Sequence, residues 1–147
     1  MLAKKYTVML LVFLIGFFVI FNLKFNSELP VKVSNICHFN KNKCVQKTQF
    51  GSFTLQAEPK IIKSESNIDF VLTLPTDSKL KISKAWLEGK DMYMGRIPLF
   101  FQKGKKNYLA NTLIGACTEN SMVWQMHIEL VDEQNTHRLV FEFTSFR

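Results

Sequence analysis

Met92 and Met94 stand two residues apart in the stretch WLEGKDMYMGRIPLFF, flanked by Asp91 and Gly95. On an extended strand that spacing points both thioethers to one side. Met122 and Met126 share a face in the same way further along, and Cys117 lies shortly before them. Thioether and thiol sulfurs are soft donors that select copper(I) over hard cations. Met92, Met94 and Cys117, with Met122 as a further donor, therefore form a candidate copper(I) site, and Trp86 and Trp124 could shield it. The same positions also suit plastic core filling, because methionine adapts to irregular gaps. The two readings differ in whether the sulfurs meet at an accessible edge or scatter into the interior. His127 falls on the opposite strand face from Met122 and Met126, so it joins them only through a bulge.

Other chemistry is sparse. His38, His127 and His137 are the only histidines, and none sits in a nucleophile elbow, a zinc-binding pair or a glycine-rich phosphate loop. A non-enzymatic role is expected. Lys103, Lys105 and Lys106 around Gly104 read as a solvated turn, and no basic run is dense enough for a nucleic-acid surface.

The elements that must position these residues are strands. At 147 residues, 47% hydrophobic and 21% charged, the chain has the size of one compact domain, which excludes a multidomain enzyme and a disordered chain. Phe53 and Leu55 precede a turn at Glu58 and Pro59. Ile68, Phe70, Leu72 and Leu74 then alternate strictly up to the turn at Pro75–Ser78. The pattern continues through Leu80, Ile82 and Ala85 to Leu87, then from Met92 to Gln102 and from Tyr108 to Ile114. Met122, Trp124, Met126, Ile128 and Leu130 mark one face of a long strand. Leu139, Phe141 and Phe143 mark the next, with Phe146 as a further candidate, and Glu133, Gln134 and Asn135 form the hairpin between them. Seven or eight short strands with polar turns predict a mainly β fold, an antiparallel immunoglobulin-like β-sandwich, with a small barrel as the alternative. Its expected interior takes Phe70, Leu72, Trp86, Leu113, Trp124, Ile128, Leu139 and Phe141.

Ahead of these strands, TVMLLVFLIGFFVIF carries no charge between Lys5 and Lys24. The uncharged stretch from Tyr6 to Leu23 is close to the ~20 residues that cross a bilayer at 1.5 Å per residue. Lys4 and Lys5 put the N-terminus in the cytoplasm by the positive-inside bias. A cleaved signal peptide is the rival, but the exit Phe21-Asn22-Leu23-Lys24-Phe25 lacks the small residues of a cleavage site. The organisation expected is a cytoplasmic stub and transmembrane signal anchor over 1–25, a tether over 26–43, and an exported β-sandwich over 44–147. With Lys4, Lys5 and Lys24 set aside, 16 basic residues face 12 acidic ones, leaving the exported part mildly basic.

An exported chain meets oxidising conditions, where Cys37 and Cys44, with six residues between them in a polar segment, are expected to form a disulfide. The alternative at this point is a metal pair of Cys37 with the adjacent His38. Cys117 is then left over. Besides ligation it has two further readings, as a small buried hydrophobe and as a partner for either of the other cysteines.

LEGKDMYMGRIP followed by NTLIGACTENSMVWQMHIEL resembles small single-pass bacterial envelope proteins that carry an exported immunoglobulin-like domain. More loosely, it is similar to the YtkA-like and FixH-type domains linked with copper and cytochrome oxidase assembly. The resemblance covers Trp86 to the C-terminus and the anchor topology. Its most specific part is the D-M-Y-M-G motif with a downstream Cys and Trp, carried by Asp91, Met92, Met94, Gly95, Cys117 and Trp124; the usual His-Met spacing of periplasmic copper chaperones is missing. The resemblance implies a single-pass inner-membrane protein with a periplasmic C-terminal domain. Its role would be that of a copper(I) chaperone or assembly factor for an envelope metalloenzyme. The alternative is a non-metal interaction or structural module docking on an inner-membrane protein complex.

Overall fold

The structure, a computed structural model, describes residues 6, 9–11, 13–17, 36–41, 43–76, 78–133 and 135–147. The chain divides into two compact units, Met1–Pro30 and Val31–Arg147. In the first, the described residues are helical and their large apolar side chains, Leu10, Phe13 and Phe17 among them, are exposed. Among the described residues no helix is long and apolar enough to cross a membrane. The anchor expected over Tyr6 to Leu23 lies partly outside them.

The second unit is built of antiparallel sheets. Its strands are β1 (Cys44–Thr48), β2 (Gly51–Glu58), β3 (Asn67–Thr73), β4 (Lys81–Gly89), β5 (Arg96–Pro98), β6 (Gln102–Lys103), β7 (Tyr108–Leu113), β8 (Ser121–Val131) and β9 (Thr136–Phe146). One sheet has the order β1-β2-β3-β7-β6 and the other β5-β4-β8-β9. The chain changes sheet between β3 and β4, between β5 and β6, and between β7 and β8.

Alternation along β2, β3 and β8 produces much of the core. In β2, Phe53, Leu55 and Ala57 point inward; in β3, Ile68, Phe70 and Leu72; in β8, Met122, Trp124, Met126, Ile128 and Leu130. The two inner faces meet through aromatic rings. Phe70 on β3 and Phe143 on β9 lie 5.5 Å apart between centroids, and Phe39 packs against both at 6.4 and 5.9 Å. Burying such a ring stabilises the fold by about 2–3 kcal/mol. At one end Phe50 stacks at a tilt on His137, centroids 4.3 Å apart, and His137 Nε2 meets Asp132 Oδ2 at 3.0 Å.

The outer edge of β9 is partly covered, which blunts the pairing tendency of a long edge strand. Cys37 N donates to Glu142 O and pairs in parallel with Phe143, while Ser64 N donates to Phe146 O and Phe146 N to Ile62 O. Cys37 is disulfide-bonded to Cys44, with 5.3 Å between Cα atoms. The bond thus ties the segment beside β9 to β1 in the other sheet.

Several sequence-based expectations need correcting. Trp86 and Leu113 are not interior. Leu80 and Ile82 set a phase that would carry Lys84 and Trp86 inward, but a bulge intervenes: Ile82 pairs with Leu130 and Lys84 with Glu129, leaving Ser83 as the extra residue. The phase flips there, so Ala85 and Leu87 are buried while Trp86 and Glu88 turn outward. In β7 the inward set is the one that places Ala110 opposite Phe70, and it continues to buried Ile114; Leu113 is exposed. The strand expected from Met92 to Gln102 is reduced to Arg96–Pro98, because Gly95 takes a φ of +73° and Pro98 has no N–H to continue a ladder. Within the segment expected to be a tether, Cys37 and Phe39 are buried in the core. Residues 26–35 and 42 of that segment lie outside the described residues.

Candidate functional site

Met92, Met94 and Cys117 sit on two connections at one end of β4 and β8, and Met122 stands near the start of β8. β4 ends at Gly89, opposite Trp124 of β8, and Lys90 N then donates to Val123 O at 2.9 Å. Gly89 is required there: a Cβ would collide with the Met122 methyl and the Met92 carbonyl. Residues 90–95 form a bent connection that Gly95 turns back into β5. Cys117 lies on the connection between β7 and β8.

These two connections bring Met92 and Cys117 together. The Cys117 thiol donates to Met92 Sδ at 3.2 Å. Met92 is 41% exposed and Cys117 half-buried, so the pair is reachable from solvent. The Glu119 backbone N–H holds the thiol pKa below its ordinary value, and the Thr118 hydroxyl and N–H add to this against the opposing effects of burial and the Glu119 charge. A thiol more readily ionised is a better soft ligand. Met122 lies beneath, its methyl against Gly89, and is buried. Met94 packs half-buried against the core. The expectation that Met92 and Met94 project from one strand face is replaced by a loop in which Met92 turns to Cys117 and Met94 to the interior.

Metal–sulfur bonds of about 2.3 Å place two ligating sulfurs roughly 3.8–4.6 Å apart, from tetrahedral to linear geometry. The 3.2 Å contact between Cys117 and Met92 must therefore open slightly to admit an ion, and the exposed Met92 side chain has the rotatable bonds to do so. The residue types suit a soft ion such as copper(I) once the two sulfurs have separated. Among the described residues no three His, Cys, Asp or Glu side chains are grouped so as to hold a metal ion. Trp124 is buried with Nε1 donating to Ser145 Oγ at 3.0 Å, whereas Trp86, expected to shield the sulfurs, faces outward on the sheet.

A second cluster, missed by the sequence reading, occupies the outer face of the four-stranded sheet. Trp86 and His127 stack in parallel, centroids 5.0 Å apart with a 6° interplanar angle. The Arg96 and Arg138 guanidinium carbons stand 5.2 and 5.8 Å from the Trp86 ring. Glu88 accepts from Trp86 Nε1 at 3.2 Å and Arg96 Nε at 3.0 Å, and its other oxygen lies 2.9 Å from His127 Nε2. Burial pushes the Glu88 carboxyl up, but His127, Trp86 and Arg96 together outweigh it and hold the group below the ordinary range. Burial lowers the His127 pKa, and Arg138 and Arg96 add to this against Glu88. The available signal was the strand parity of His127, opposite to Met122 and Met126; the misplaced phase of Trp86 concealed its partner.

Compared with known proteins, the chain matches no family model, no curated protein and no solved structure.

Proposed function

We propose that this chain is a membrane-anchored, extracytoplasmic immunoglobulin-like domain that holds copper(I) at Cys117 and Met92 and passes it to an envelope metalloenzyme, acting without catalysis. The carrying observation is the 3.2 Å approach of the two sulfurs on exposed connections. A packed interior would have dispersed them. Two protein ligands leave a soft, labile ion open to a third donor, which suits handover better than storage. Met122, whose methyl lies against Gly89, is a further sulfur on this end of the domain.

The sandwich reading is supported by strand order. An immunoglobulin constant-type domain has strands A, B, E and D in one sheet and C, F and G in the other. Here β2, β3, β7 and β6 follow the first order and β4, β8 and β9 the second, with β5 added beside β4 and β1 beside β2. The anchor reading rests on the uncharged stretch from Tyr6 to Leu23 behind Lys4 and Lys5, and the Cys37–Cys44 bond suits an oxidising compartment.

The test is copper(I) titration of the full chain in detergent micelles against a competing chelator, with Cys117 reduced and the Cys37–Cys44 bond intact. Wild type is expected to compete, Cys117→Ser to lose binding, and Met92→Leu to weaken it while remaining folded, since that exchange costs under ~1.5 kcal/mol. Binding should weaken as pH falls through the lowered pKa of Cys117, because protons then compete for the thiolate. A wild-type chain that never competes with the chelator overturns the reading.

A further inference from the structure

We propose that the outer face of the β5-β4-β8-β9 sheet is a docking surface for an extended acidic segment of a partner protein, centred on Trp86 between Arg96 and Arg138. This inference is independent of the copper reading, since it uses neither sulfur.

The face is organised in cross-strand rows. Pro98, Trp86, His127 and Val140 make one row, and Arg96, Glu88, Gln125 and Glu142 the next; Lys84, Glu129 and Arg138 make a third. Charges on it are paired, yet the pairs are not symmetric toward solvent. Arg96 is 67% exposed and its partner Glu88 25%; Lys90 is 42% exposed and Glu142 4%; Arg138 is 41% exposed and Glu129 20%. In each of these three pairs the cation stands outward and the carboxylate is sunk beneath it. Glu142 is held by Gln125 Nε2 at 2.8 Å as well as by Lys90, so its charge is spent within the sheet. A partner approaching this face meets ammonium and guanidinium groups first, and Lys84 is exposed in the same array.

Trp86 supplies what a merely solvated charged face lacks. Its ring is half-buried, backed by His127 in parallel stacking and flanked by two guanidinium groups. Stacked arginines are pre-oriented, so their free N–H groups can engage carboxylates in bidentate fashion with little ordering cost. Tryptophan and arginine are also the side chains that most often carry interface energy. Acidic side chains fit the exposed cations, and an apolar side chain between them fits the Trp86 ring. An extended chain suits the flat rows of an antiparallel sheet.

The experiment uses the full chain in zwitterionic nanodiscs and a fluorescent ten-residue peptide alternating Glu and Asp with Gly around a central Leu. Peptide anisotropy reports binding. Wild type is expected to bind, with affinity falling as salt rises. Arg96→Gln with Arg138→Gln should weaken binding at least tenfold, while Arg96→Lys with Arg138→Lys should retain most of it. A matching thermal midpoint for each variant excludes unfolding as the cause. Equal binding by the Gln variant, equal binding of a Lys-containing control peptide, or binding to anionic vesicles with none to the acidic peptide would each overturn the proposal. Copper(I) titration of the same Gln variant should be unchanged, which separates this face from the sulfur pair.

Discussion

The two faces of β8 carry different kinds of information. Its inner residues Met122, Trp124, Met126, Ile128 and Leu130 are all buried, and each meets hydrocarbon or aromatic neighbours. The outer residues Gln125, His127 and Glu129 are half-buried and are fixed by named polar partners: Glu142, Glu88 and Arg138. The inner face holds the fold and tolerates any volume-matched apolar group. The outer face adds little stability, because paired surface charges are typically worth 0 to ~1 kcal/mol. Its order is therefore available for recognition. The contrast teaches that in this sheet stability and specificity are divided by strand parity.

The strongest challenge to this division is Trp124→Ala. Removing the largest inner side chain should cost about 3–5 kcal/mol in denaturant unfolding and leave Ser145 without its partner; a loss below that of an outer-face substitution would erase the contrast. Gly89→Ala comes next, at about 1–3 kcal/mol, because the added methyl overpacks against Met122 and the Met92 carbonyl. It should also weaken copper(I) binding by moving Met92 from Cys117, whereas Met126→Leu, at under ~1.5 kcal/mol, should leave copper(I) binding intact. That pair of variants separates a sulfur that packs from one that ligates.

The smallest effect belongs to acid. His127 has its pKa lowered in the fold, so on acidification from its ordinary value of 6.5 the unfolded chain takes up the proton first and stability falls. Glu88 is likewise lowered; its contribution is present above its ordinary value of 4.5 and is lost as pH drops through the folded value. Unfolding midpoints measured from pH 7.5 to 4 should therefore decline, and His127→Gln should flatten the upper part of that decline. An unaltered slope in His127→Gln would place the acid sensitivity elsewhere.

Strand content was legible because β2, β3 and β8 alternate without interruption and β9 keeps apolar residues at Leu139, Phe141 and Phe143. The set from Met122 to Leu130 and the rings of Phe70, Phe141 and Phe143 are buried as their spacing implies. Irregularity defeated the rest. Period-two reasoning assumes an unbroken pleat, and a bulge after Ile82 breaks it, which is why Trp86 was expected inside. Leu113 was misplaced because β7 offers two apolar sets, and only the opposition of Ala110 to Phe70 chooses between them. Around the sulfurs, the residue types were readable but their meeting was not: Met92 and Cys117 come together across 25 positions through two loops whose course no pattern encodes. The outer-face cluster is likewise a product of pairing between β4, β5 and β8.

The unpaired Ser83 works on β4 as an inserted letter works on a reading frame. Every side chain downstream of it is read on the opposite face until the strand ends at Gly89. Were Ser83 taken into the ladder as an ordinary paired residue, the upstream frame would run on, sending the indole and the carboxylate of Glu88 toward hydrocarbon and the small Ala85 and the Leu87 side chain toward water. Whether one serine is skipped or paired, rather than any apolar residue, thus decides whether this sheet presents a tryptophan to the outside.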